Sequence, residues 1–166
     1  SAASDVYKRQ VHHKGICNVG LDDFGGSNSS TKYLIQNGHK KIAFASLHIK
    51  DGGVLMERFL GYKAALTEAG IPFDESLVFE CGMDLKGTRA IAKTLASHPE
   101  ITGVVTTADT LAGSIIANLH KLKIKIPEHV SVVGFDDLSI CNIIEPPLTS
   151  IPVSYTHLTL PTNSLV

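Results

Sequence analysis

Cysteine is scarce in this chain, with three among 166 residues, at Cys17, Cys81 and Cys141. They lie far apart, are odd in number and match no CxxC spacing, so neither a disulfide framework nor a zinc site is expected, and reduced thiols fit better. Long apolar runs are missing too: none approaches the ~20 residues that a membrane-spanning helix requires. A charge excess is also absent. Fifteen Lys and Arg stand against sixteen Asp and Glu, for a formal net charge of −1, which argues against a dedicated nucleic-acid surface with its clustered basic excess.

The motifs of common enzyme classes are missing as well. The glycine pairs at 25–26 and 52–53 do not make a GxGxxG fingerprint, and neither GxxxxGK[ST] nor a GxSxG elbow occurs. The eight histidines, His12-His13 among them, show no HExxH or other ligand spacing, so no metal is expected. Cys81 is the one nucleophile candidate; without an evident base it reads better as a small buried hydrophobe. The sequence therefore points away from an enzyme and implies no cofactor.

What remains is the composition of one soluble globular domain, 43% hydrophobic and 19% charged. The ends differ from the middle. Residues 1–10 (SAASDVYKRQ) and 154–166 (SYTHLTLPTNSLV) carry neither helical nor strand period. They resemble translated sequencing-adapter sequence and are set aside as non-native tails, with ordinary frayed termini as the alternative. The domain is then expected over 11–153.

Within it, short apolar strands alternate with amphipathic helices. Strands are predicted at Ile16–Gly20, Lys41–Ser46, Leu77–Cys81, Gly103–Thr107, Val130–Phe135 and Leu148–Ile151. The helices are predicted at Ser27–Asn37, Val54–Ala69, Gly87–Ser97 and Thr110–Leu122, with Gly38 and Gly70 ending the first two. Asp22 and Asp23, beside a strand, could hold a metal or protonate a substrate, but with Gly25-Gly26 they read better as a turn. On the long second helix, Leu55, Phe59, Tyr62, Leu66 and Ala69 form the apolar stripe. This alternation implies parallel pairing, and the fold class is α/β: a three-layer α/β/α arrangement around a mostly parallel sheet. Ligands in such folds sit beyond the carboxyl ends of the strands.

Those strand ends carry few candidates. Arg58 lies near the start of the long helix, where its planar fork could hold vicinal hydroxyls or a carboxylate; the competing reading is a solvated helix-face arginine. Asp136 directly follows VSVVGF and could accept hydrogen bonds from hydroxyls, or cap the next turn, a role that suits Asp137 better. Thr106 and Thr107 offer hydroxyls, and Asp109 reads mainly as the cap of the following helix.

Three stretches then carry a specific likeness: YLIQNGHKKIAFAS (Tyr33–Ser46), ERFLGYKAALTEAGI (Glu57–Ile71), and TTADTLAGSIIANLHKLKIKIPEHVSVVGFDD running into PPLTSI (Thr106–Ile151). In order and spacing they resemble the lactose-repressor/galactose-repressor family of bacterial regulators, whose core is like a type I periplasmic sugar-binding protein. The resemblance implies a cytoplasmic sensor of a small-molecule effector, a carbohydrate or similar polar molecule, that dimerises through its core. DNA would be read only by a separate headpiece, and no membrane is involved. It places Arg58 (in ERxxGY) and Asp136 (in GFDD) on the effector, beside Thr107, Ala108 and Asp109. Ala108 departs from the family's usual asparagine, and an alanine offers neither the donor nor the acceptor of an amide; the effector therefore differs, or Thr107 compensates. The stretches match mainly the C-terminal lobe, so weak or undetectable sugar binding is expected of this chain alone. The alternative is one lobe of a periplasmic sugar-binding protein serving a transporter, with an enzyme on the same scaffold a distant third.

Overall fold

A computed structural model of the chain describes residues 22–49, 53–82, 85–135 and 149–151. The expected strand at 16–20, both tails, Cys17, Cys141, His12-His13 and Asp136-Asp137 lie outside these residues. Among the described residues, ten elements follow one another. Helix α1 (Asp23–Gln36) leads into strand β1 (Ile42–Leu47), then α2 (Val54–Glu68), a 3-10 turn (Glu75–Leu77) and β2 (Val78–Cys81). The chain continues through α3 (Leu85–Ser97), β3 (Gly103–Thr106), α4 (Asp109–Lys121), β4 (Ser131–Phe135) and β5 (Thr149–Ile151). The five strands form one sheet in the order β2-β1-β3-β4-β5, and every pairing is parallel.

Strand composition explains why the sheet is covered on both faces. Successive strand residues point to opposite sides, and here both sides are apolar. Ile42 and Phe44 of β1, Val105 of β3 and Val133 of β4 pack with Leu34 of α1 and with Tyr62 and Leu66 of α2. Their neighbours Ala43, Ala45, Val104 and Val132 pack on the other side with Ile91, Leu95, Leu111, Ile115 and Leu119 of α3 and α4. Helices α1 and α2 thus form one outer layer and α3 and α4 the other, the three-layer arrangement expected. Gly38 and Gly70 close α1 and α2 at φ +90° and +68°, backbone that an L side chain rarely adopts.

Two boundaries differ from expectation. Helix α1 starts at Asp23 rather than Ser27, so Gly25 and Gly26 lie in its first turn and not in a connecting turn. Asp22 is the reason: its Oδ1 accepts from the Gly25 amide at 2.8 Å and starts the helix early. Gly26 also leaves room for a ring, since a Cβ there would stand 2.6 Å from Cζ of Phe135. At α4 the capping residue is Ala108, with extended backbone and no side-chain cap, and Asp109 is already the first helical residue.

At the amino edge of the sheet, His39 Nδ1 lies 2.9 Å from Thr102 Oγ1. Burial holds this imidazole below its ordinary value. A depressed histidine gives stability that is fully present above the unfolded value, about 6.5. It is lost as pH falls from there through the folded value, because the unfolded chain binds the proton first. The His39→Gln variant should therefore lose less stability than the parent between pH 7 and pH 5 in urea unfolding; parallel pH profiles would show that His39 does not carry the effect.

Candidate functional site

The site is assembled from five chain segments meeting at the carboxyl edge of the sheet. Arg58, in the second turn of α2, projects there and is almost fully buried at 6% exposure. Its Nε and Nη2 each donate to Oδ1 of Asp23, the first residue of α1, at 2.8 Å. Nη1 donates to the main-chain carbonyl of Thr107, just beyond β3. The guanidinium lies over the ring of Phe135, the last residue of β4, with Cζ 3.7 Å from the ring centre. One side chain thus ties α1, α2, β3 and β4 together at the place where the fold class puts ligands.

The neighbouring groups set the electrostatics. Burial, and then the negative charges of Asp23 and Asp22, push the Glu57 carboxyl above its ordinary value. Thr107 is buried, its amide donates to Ala45 O at 3.1 Å, and its hydroxyl donates to Ser46 Oγ at 3.3 Å. Thr106 Oγ1 bonds Val133 O at 3.0 Å, locking β3 to β4. Asp109 is fully buried at the head of α4. Ala108 adds a methyl group where an amide could have offered a donor and an acceptor.

Arg58, Thr107, Ala108 and Asp109 are therefore brought to one edge, and Asp136 lies outside the described residues. Arg58 is not a solvated helix-face residue. The buried face of α2 consists of Arg58, Gly61, Tyr62, Ala65 and Leu66, rotated from the stripe expected, and Ala69 at its far end is exposed. Asp109 does not cap α4, because the helix begins one residue earlier than that role needs. Sequence reasoning missed Asp23 by treating both aspartates as turn residues. The signal was Asp22 itself: an aspartate that caps a helix makes the next residue, Asp23, the first of that helix. Cys81 is buried at the end of β2, and among the described residues no His, Cys, Asp and Glu cluster could hold a metal. No described helix is long and apolar enough to cross a membrane.

A parallel sheet covered on both faces, with a buried arginine held at the carboxyl edge of its strands, defines an α/β lobe of the class that places ligands beyond those strand ends. The periplasmic binding protein-like domain family matches residues 31–159. The chain belongs to that family, in the form that makes the effector-binding core of lactose-repressor/galactose-repressor regulators. It is 37% identical to the HTH-type transcriptional repressor PurR of Vibrio atlanticus over 127 residues, 76% of this chain and 38% of the relative. With the HTH-type transcriptional regulator CelR of Thermobifida fusca it shares 33% over 143 residues, 85% of this chain and 42% of that protein. The solved transcriptional regulator CelR–cellobiose complex superposes with a TM-score of 0.71 at 32% identity, covering 78% of this chain and 40% of that one. The chain thus spans about two fifths of the length of these relatives.

Proposed function

We propose that this chain is the effector-sensing lobe of a cytoplasmic bacterial transcriptional regulator, and that it acts by binding and not by catalysis. The observation that carries the reading is Arg58, held rigid by Asp23, Thr107 and Phe135 at the carboxyl edge of the strands. A guanidinium fixed on three sides is pre-organised, so little entropy is lost when it grips a ligand. Asp136, next in sequence to Phe135, is to supply a carboxylate acceptor, with partly exposed Ala108 beside it and Thr107 and Asp109 buried behind as support. The effector is a carbohydrate or a similar polyhydroxyl molecule, in keeping with the cellobiose named with the solved relative. In the whole regulator a second lobe closes over the effector, the cores pair as a homodimer, and a separate headpiece reads DNA.

The test is effector response in the full-length regulator, with Arg58→Ala and Asp136→Ala changed singly. Loss of a hydrogen bond to a charged group is worth about 1.5–3 kcal/mol, so each should weaken the response roughly 10- to 100-fold. The thermal midpoint, measured alongside, separates lost binding from lost folding. A stable Asp136→Ala regulator with an unchanged dose response would sink the site assignment.

A further inference from the structure

On the opposite layer from Arg58, α3 and α4 leave a recess of about 210 Å³ lined by Arg89, Lys93, Asn118, Lys121 and Leu122. Arg89 and Lys93 stand one turn apart on α3, and Asn118 and Lys121 one turn apart on α4. Three cations therefore converge on one cavity. Among the described residues, none of the three enters an ion pair; the pairs formed are Lys32–Glu68, Lys41–Glu100, His48–Glu80 and Arg58–Asp23.

The charge is local. The whole chain carries −1, yet between Leu85 and Lys125 the cations are Lys86, Arg89, Lys93, Lys121, Lys123 and Lys125, against Glu100 and Asp109 alone. Glu100 is turned to Lys41 at 3.4 Å, and Asp109 is buried at the far end of α4. Among the described residues no carboxylate lines the recess. Its cations are not consumed by the end of α4 either, where the last carbonyls accept from the amides of Leu122, Lys123 and Ile124. A helix C-terminus carries about half a negative charge, which opposes an anion but is outweighed by three full positive charges. The Asn118 amide is fixed at this place by donating to Ser114 O at 2.9 Å and Thr88 Oγ1 at 3.4 Å. Leu122, 40% exposed, adds an apolar wall.

We infer that this recess is a second ligand site, separate from the effector site, which takes a small phosphate monoester. Arg89 supplies a fork that matches phosphate oxygens in pairs, Lys93 and Lys121 supply point charges, and Leu122 packs against the ester's carbon skeleton. A polymer backbone would need cations strung along a track, whereas these three surround one small volume.

The test is titration of the full chain, followed by ¹H–¹⁵N spectra at fixed ionic strength, with glycerol 3-phosphate, inorganic phosphate, glycerol and a short DNA duplex. Glycerol 3-phosphate should give saturable shifts at Arg89, Lys93, Asn118, Lys121 and Leu122, with an affinity at least that of inorganic phosphate, and glycerol should give none. Lys93→Gln with Lys121→Gln should weaken binding at least tenfold while leaving the thermal midpoint unchanged; both positions are exposed. Shifts that never saturate, that chloride reproduces, or that survive the double substitution would overturn the site. Binding of inorganic phosphate without the ester, or tighter binding of the duplex, would overturn the ligand class.

Discussion

Asp23→Ala is expected to destabilise the fold by about 3–5 kcal/mol, the cost of leaving one partner of a buried ion pair uncompensated. The side chains of Arg58 and Asp23 are 7% and 10% exposed, so water cannot replace the lost carboxylate. Stacking on Phe135 and the Thr107 carbonyl remain, and they place the expectation toward the lower end of the range. The pair itself adds little net stability, because desolvating two charges offsets most of their attraction. Replacing both partners, as Asp23→Leu with Arg58→Met, should therefore recover most of what Asp23→Ala loses. Asp23→Asn, which keeps an acceptor and loses the charge, should fall between. Urea unfolding of the four proteins checks the order; an Asp23→Ala variant within ~0.5 kcal/mol of the parent, the ordinary range for a surface change, would show that the pair is not buried in solution.

The same pair shows how far the sequence could be read. The sheet was legible because strands such as KIAFAS and VSVVGF are apolar on both faces, a local property that parallel pairing requires. Helix ends were legible where Gly38 and Gly70 mark them. The start of α1 was not, because two glycines argue locally for a turn and only the Asp22 cap, with the Phe135 ring lying over Gly26, makes a helix of them. Arg58 was legible as a candidate and as a family match, yet its surroundings were not. Its partner lies 35 residues earlier, and although the helical period sets Arg58 in line with Tyr62 and Leu66, nothing local on α2 announces the carboxylate that lets a guanidinium be buried there. Conversely, Asp109 carried the signature of a cap without filling that role. Such misreadings cluster at the strand ends, where contacts distant in sequence override local preference.

Gly61→Ala should be destabilising, although alanine is the better helix former by about 1 kcal/mol. Gly61 lies in the middle of α2 at its crossing with α1. A Cβ there would stand 2.2 Å from the main-chain oxygen of Phe24 and 3.0 Å from the amide nitrogen of Asn28. Both obstacles are backbone, so no side chain can swing aside, and α1 and α2 must separate. Overpacking of this kind costs about 1–3 kcal/mol, and the contact is short enough for that term to exceed the propensity gain. Separation also breaks the bond from Asn28 Nδ2 to Gly61 O, 3.4 Å long. It also draws Asp23 away from Arg58, since these lie on the same two helices one turn toward the site. The substitution therefore links packing to function: in the full-length regulator it should weaken effector response while leaving the bond from the Tyr62 hydroxyl to Ile42 O, 2.8 Å long and on the sheet side of α2, largely in place. Thermal unfolding and a dose response on the same variant check both halves. A Gly61→Ala protein as stable as the parent, with an unchanged response, would show that α1 and α2 do not approach this closely, and with that the rigid seating of Arg58 would fall.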